Sequence, residues 1–319
     1  MTLRIDRELV RALLGILGIL VASSIAGALL ARAASRPGRE TLRATVANIN
    51  ARIRAWWVMS AIFGISLATG GIGSIVLFGA LSFLALREFI TLTPTRRADH
   101  RTLFWSFFAI TPLQYSLLFV KWYGLFAIFI PVYAFLFVPI RIVLEGDTER
   151  FLERAAKIQW GLMVCVYCVS HAPALLMLRI PGYEGQNGKL LLFFVVVVQL
   201  CDVFQYIWGK LAGGPRIAPT VSPSKTWSGF LGGIGSATLL GAGLHWLTPF
   251  SAFQAAQVSL LITLLGFAGG LTMSAIKRDR GLKDFGSAIA GHGGILDRID
   301  SICFAAPVLF HLTRFYFKA

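Results

Sequence analysis

Residues 190–211 read Leu190-Leu-Leu-Phe-Phe-Val-Val-Val-Val-Gln199-Leu-Cys-Asp202-Val-Phe-Gln205-Tyr206-Ile-Trp-Gly-Lys210-Leu211. An α-helix rises 1.5 Å per residue, so about 20 apolar residues cross a hydrocarbon layer of about 30 Å. This stretch has the length and opens with an unbroken apolar run to Val198. It therefore reads as a helix in lipid, and the composition agrees: 56% of the 319 residues are hydrophobic and 14% charged. Soluble domains carry about 25% charged residues. A mean hydropathy of +0.71 leaves too few polar side chains to cover a body of this size in water. Disorder and a disulfide-stapled secreted module are excluded by the same abundance of Leu, Ile, Val and Phe and by the presence of only 4 Cys.

Working outward, the pattern predicts an all-α polytopic membrane protein with about ten spans: Leu9–Leu30, Trp56–Thr69, Ile72–Thr91, Leu103–Val120, Trp122–Ile142, Gln159–Leu178, Leu190–Leu211, Trp227–Leu247, Ala252–Ile276 and Leu296–Tyr316. The second is short and runs into Gly70-Gly71, so this region is one hairpin or one broken helix. The net charge is +15. With both termini placed outside, 22 of the 30 Lys and Arg fall in cytoplasmic connections and 8 outside. Cytoplasmic loops of membrane proteins carry that bias. The basic excess thus needs no nucleic-acid partner. Arg4, Arg7 and Arg11 precede the first span, which resembles a signal peptide but is long and is followed by six arginines; it reads as a retained helix. The run Arg141–Lys157 reads as a surface helix lying at the membrane.

Polar residues are unevenly spread, which suggests a membrane scaffold over 1–187 and a catalytic membrane core over 188–319. Asp202 lies inside a span, where an unpaired carboxylate is costly and hence marks function or a structural ion pair. The following loop, Gly213-Gly-Pro-Arg216…Ser222-Pro-Ser224-Lys225-Thr226-Trp-Ser-Gly229, offers hydroxyls, a cation and glycines. Such parts suit either a phosphate cradle before a helix or a helix cap with small packing residues. A second loop runs Ser274-Ala-Ile-Lys277-Arg278-Asp-Arg280-Gly-Leu-Lys283-Asp284-Phe-Gly286, then Gly291-His292-Gly293-Gly294-Ile-Leu-Asp297-Arg298-Ile-Asp300. Cations can receive phosphates, and Asp297 and Asp300 share a helix face at a spacing of three. Oxygen ligands suit Mg²⁺, which typically takes a few carboxylates together with substrate phosphates. Cys165-x-x-Cys168-x-x-His171 fits neither a zinc nor a haem signature and reads as buried small side chains.

The second loop, the Ser222–Gly229 block and Asp202…Gln205-Tyr206…Gly209-Lys210 together resemble the CDP-diacylglycerol synthases, or phosphatidate cytidylyltransferases, over about residues 199–301. The Asp202–Tyr206 stretch resembles that family's divergent bacterial branch and its eukaryotic members more than its housekeeping bacterial type. Ala290 stands where the family usually has proline, and Phe285 where a small or polar residue is commoner. The resemblance implies transfer of CMP from CTP to phosphatidate at the cytoplasmic face of a bacterial inner membrane. It implies Lys225, Lys283, Asp284 and His292 as catalytic residues. Ser222, Ser224, Thr226, Lys277, Arg278, Gly293, Gly294 and Arg298 would contact the substrates. Asp202, Asp284, Asp297 and Asp300 would hold Mg²⁺, as two divalent ions or as one paired with a monovalent ion. A homodimer is expected on the same ground. Other readings of the charges are CTP-dependent transfer to another lipid phosphate or polyprenol, and an organic-anion transporter.

Overall fold

Apolar stretches this long bury their backbone polar groups as helices because lipid offers no hydrogen bonds. The computed structural model describes residues 6–35, 40–92, 95–286 and 293–318. Among these residues ten helical rods follow one another: α1 Arg7–Ala34, α2 Glu40–Ala68, α3 Gly70–Thr91, α4 Arg97–Phe119, α5 Tyr123–Val143, α6 Phe151–Met177, α7 Asn187–Leu211, α8 Trp227–Gly243, α9 Ala252–Asp279 and α10 Leu296–Phe317. Seven of them are long and apolar enough to cross a membrane, which corrects the expected ten spans. The other three fall short for visible reasons. The first half of α2 carries Arg43, Arg52 and Arg54, α8 has 17 residues, and α10 opens on Asp297, Arg298 and Asp300. The chain is a multi-pass membrane protein by these helices.

Two further expectations are corrected. The second expected span, Trp56–Thr69, is only the end of a longer helix, since α2 starts at Glu40 and takes in Arg43, Arg52 and Arg54. Gly70, at φ +81, then turns the chain into α3, so this region is a hairpin of two helices. No separate surface helix spans Arg141–Lys157: α5 ends at Val143 and α6 begins at Phe151. In the first turn of α6, buried Arg154 donates to Asp99 Oδ1 at 2.8 Å and to the carbonyls of Asp147 and Glu149, clasping the start of α4 to the α5–α6 connection.

Helix α6 lies at the centre, with 72% of its apolar window buried, against 11% for α1 at the periphery. Around α6 pack α3 and α10, with Leu86, Phe126, Leu162, Phe193, Phe194 and Phe310 filling the core. Wide π-helical turns interrupt α4 at Ser106–Ile110 and α5 at Phe129–Ala134, just before Pro112 and around Pro131; a proline N–H is missing there and its ring crowds the preceding turn. A third such turn, Leu162–Cys168, lies in α6. Cys165 is buried and Cys168 half-buried, both as free thiols, and His171 stacks between Tyr167 and Phe126, as small and aromatic packing residues would.

Helices α7 to α10 pack as consecutive neighbours. The stripe Gly229, Gly233, Ala237, Gly241 runs along one face of α8. A Cβ on Gly229 would stand 2.7 Å from the Gln205 carbonyl, and one on Gly233 would stand 2.8 Å from the Gln205 backbone nitrogen. These glycines let α8 lie backbone-to-backbone on α7, a close approach that small residues permit between membrane helices. One departure from an all-α fold is a two-stranded antiparallel ribbon, β1 Arg216–Ala218 and β2 Ser222–Thr226, pairing Arg216 with Thr226 and Ala218 with Ser222. Gly213 and Gly214, at φ +59 and +100, turn the chain out of α7 into it.

Candidate active site

The ribbon, the end of α9 and the start of α10 meet at one end of the bundle. Thr226 ends β2 and caps α8, its hydroxyl accepting from the Gly229 amide at 3.2 Å. That geometry selects the capping reading for Thr226 and the packing reading for the glycines after it. It also fixes Lys225, whose ammonium lies 4.4 Å from the centre of the Phe267 ring. Gly270 leaves room for it: a Cβ there would stand 3.0 Å from Lys225 Nζ and 3.9 Å from Asp300 Oδ2. Ser222 is buried and Ser224 exposed, both on β2.

Lys277, near the end of α9, donates to Asp297 Oδ1 at 2.7 Å. The other Asp297 oxygen accepts the amides of Phe285 at 2.8 Å and Gly294 at 2.9 Å. Asp297 therefore fastens both ends of the signature loop to the first turn of α10. Phe285 is buried, 3% exposed, with its ring centre 5.2 Å from the Lys277 ammonium. A small or polar residue there would lose both contacts. Gly293 has φ +82, and a Cβ on it would clash with Asp297 Oδ2 at 2.8 Å, so glycine is required on both counts.

Asp300 points the other way. Its Oδ1 accepts the Ser301 amide at 2.7 Å, and the Ser301 hydroxyl donates to Asp202 Oδ2 at 2.9 Å. Asp202 of α7 and Asp300 of α10 thus share one hydroxyl, with Lys225 beside Asp300. Arg278 is exposed and donates to the carbonyls of Val221 and Leu282, tying the ribbon to the loop. Lys283 and Asp284 are exposed. The Arg298 carbonyl accepts from Gln199 Nε2 at 2.9 Å. His292 lies outside the described residues.

Among the described residues no group of three or more carboxylate, imidazole or thiol side chains is gathered to hold a metal. Asp202, Asp284, Asp297 and Asp300 are not brought into one cluster, because Lys277 and two amides occupy Asp297. The neighbouring Asp202 and Asp300 still fit a Mg²⁺ ion that takes its remaining ligands from water and phosphate.

Two participants escape a reading of the sequence by motif. Ser301 follows Asp300 and joins the two carboxylates. Glu88, near the end of α3, accepts the Ile295 amide on Oε1 and the Leu296 amide on Oε2, both at 2.9 Å. It places a carboxylate on the N-terminus of α10, where backbone amides lack partners and the helix dipole favours a negative charge. Gly294 makes room for it, since a Cβ there would meet Glu88 Cδ at 2.8 Å. An ionisable residue inside an otherwise apolar stretch was its one available signal.

The family model described as the cytidylyltransferase family matches residues 50–316. The chain belongs to that family. Membership carries with it the family's general chemistry, nucleotidyl transfer from CTP. The family match leaves out α1 and the start of α2. Among curated relatives, the Escherichia coli K12 protein described as uncharacterized protein YnbB is 40% identical over 270 residues, 84% of this chain and 88% of that one. A phosphatidate cytidylyltransferase of Brucella abortus biovar 1 is 30% identical over 274 residues, 83% of this chain and 93% of that one. Another from Staphylococcus aureus strain COL is 36% identical over 131 residues, 40% of this chain and 50% of its own length.

Proposed function

We propose that this chain transfers CMP from CTP to phosphatidate, giving CDP-diacylglycerol and pyrophosphate. The observation that carries the reading is a pair of cations with spare hydrogen-bonding capacity, aimed into the end of an apolar bundle. An ammonium has three donors. Among the described residues, Lys277 meets one acceptor and Lys225 meets an aromatic face and no hydrogen-bonding oxygen. Phosphate oxygens supply what both lack. The phosphatidate oxygen is ionised at neutral pH, so no side-chain nucleophile is needed. It attacks the α-phosphorus of CTP; a P–O bond forms there, and the bond to the bridging oxygen breaks to release pyrophosphate. What the protein must supply is charge neutralisation and alignment of two polyanions.

In this reading Lys225 and Lys277 bind phosphate oxygens, with Lys283, Arg278 and Arg298 at the rim. Asp202 and Asp300 would hold Mg²⁺, which neutralises the triphosphate when bound, and Asp284 stands apart from them on the exposed loop. Ser222, Ser224, Thr226, Gly293, Gly294 and His292 shape the nucleotide's surroundings. Residues 188–319 form the core that carries the chemistry, with Glu88 reaching into it from the scaffold. The enzyme sits in the bacterial inner membrane with this end toward the cytoplasm, where CTP is found, and works as a homodimer.

The test is purified protein with phosphatidate, Mg²⁺ and CTP labelled at the α-phosphate. Label should appear in a CDP-lipid and vanish with EDTA. Lys225→Ala and Asp300→Asn should each slow transfer about 10²–10³-fold, the range for a preorganised charge acting on the transition state. Lipid marked only by γ-labelled CTP would make the protein a kinase. Transfer to other lipid phosphates with none to phosphatidate would overturn the acceptor assignment.

A further inference from the structure

Arg52 counts in the sequence only as cytoplasmic charge, and Tyr206 has no part in the proposed transfer. The structure puts them together. The Arg52 guanidinium of α2 lies over the Tyr206 ring of α7, 6.0 Å from its centre. Where Tyr206 stands follows from helical spacing. Gln199, Asp202 and Tyr206 are three and then four residues apart, so they share one face of α7. The first two turn that face to α10: Gln199 donates to the Arg298 carbonyl, and Asp202 accepts from the Ser301 hydroxyl. Tyr206 is next in the column, about 6 Å further along the axis than Asp202. It is 59% exposed.

Arg52 bounds this position from the side of α2. It is exposed, and its Nε donates to Asn48 Oδ1, one turn earlier, at 3.1 Å. Its partners among the described residues are that amide oxygen and the Tyr206 ring, neither of them anionic. A guanidinium stacked on an aromatic face keeps the other N–H donors of its fork for an oxyanion. The level in the membrane is marked as well. Trp56 and Trp57 follow one turn on, Trp57 donating to Ser24 Oγ of α1 at 2.9 Å. Indole rings gather where headgroups begin. Exposed Ile49, Val58 and Ile62 flank Arg52 along α2, so the guanidinium stands at phosphate level beside a lipid-facing surface.

We infer that Arg52, backed by Tyr206, receives the phosphate of the acceptor lipid between α2 and α7, one helical turn short of Asp202. The inference rests on the proposed transfer to a lipid phosphate. A nucleotide arrives from water and has no tail to hold it at this level, whereas the acyl chains of a phospholipid keep its phosphate there. Arg52 binds and does not react: it sets how well the lipid is held, and not how fast the new P–O bond forms.

The test is the full chain in mixed micelles, with KM for phosphatidate and KM for CTP measured separately. Arg52→Gln should raise the phosphatidate KM about fivefold, the effect of one cation facing an anionic lipid, with kcat and the CTP KM unchanged. Arg52→Lys, which keeps the charge, should recover most of the loss. Arg43→Gln removes another exposed cation of α2, more than two turns away, and should change neither KM. An unaltered phosphatidate KM in Arg52→Gln would overturn the inference. So would an equal rise in Arg43→Gln, since the effect would then be one of general surface charge, and so would a rise in the CTP KM instead. If the protein transfers nothing to phosphatidate, the same variants are titrated without CTP, with phosphatidate or phosphatidylcholine, and followed by native mass spectrometry. Preferential phosphatidate binding, weakened about fivefold in Arg52→Gln alone, would uphold the site while the assigned reaction fails. Equal binding by variant and parent would sink the site too.

Discussion

Two lysines are buried at opposite ends of the bundle, in different company. Lys189, 2% exposed, has three acceptors for its three protons: Asp6, Glu8 and Gln186. Lys277, 9% exposed, has one among the described residues, Asp297, and the face of Phe285. The first is saturated and joins the start of α1 to the start of α7. The second retains donors that only a further oxygen can satisfy. Burial alone does not distinguish a structural lysine from a binding one; on the proposed reading of Lys277, the number of acceptors already met does.

The comparison breaks or sharpens under substitution, most strongly at Lys277. Lys277→Met leaves Asp297 buried with one of its three partners, and the only cation among them, gone, and breaking such a pair costs about 3–5 kcal/mol. Thermal unfolding in detergent should show it. Adding Asp297→Asn should recover part of the stability while transfer stays lost, and recovery of both would make Lys277 a second structural lysine. Glu88→Gln comes next. The amide keeps one acceptor for two backbone donors and loses the charge facing the helix end, a cost of about 1–2 kcal/mol. Its activity should fall through KM and stability together, because it touches the loop and not the substrate.

Lys189→Met should have the smaller effect, within about 1 kcal/mol, since Glu8 and Asp6 are partly exposed and regain water. Transfer should be unchanged, and hydrogen exchange should rise in α1 alone. The smallest effect is one of acidity. Burial works to raise the Asp6 carboxyl, yet the Leu9 amide and the Lys189 ammonium outweigh it and hold it below the usual carboxylate value. A depressed value in the fold gives a contribution that is complete above the unfolded value, about 3.9, and is lost as pH falls through the folded one. Exchange in α1 should therefore increase only below about pH 4.

Much of the site was legible because its chemistry is concentrated in short spacings. Lys225, Lys277, Asp297 and Asp300 stand in stretches whose charge has no place in lipid, and the structure brings them to one end. Asp297 was legible as important but not as a fastener, since its partners, Phe285 and Gly294, lie across a loop. Glu88 was not legible, because its hydrogen bonds join residues 207 and 208 positions apart and no local periodicity records such a pairing. The rods were read at about their number, yet three are too short or too charged to count as spans. Charge on α2 and α10, and the shortness of α8, are features of how those helices are used, and an apolar-run count passes over them.

That shortness reaches beyond the fold. A helix of 17 residues rises about 26 Å, roughly 4 Å less than an ordinary hydrocarbon layer. Its outward side chains Trp227, Leu231 and Leu239 are exposed, so lipid tails must meet this flank. Membranes answer such hydrophobic mismatch by thinning beside the short element. On the proposed reading, a leaflet thinned beside α8 would bring phospholipid headgroups nearer to Lys225 at its base.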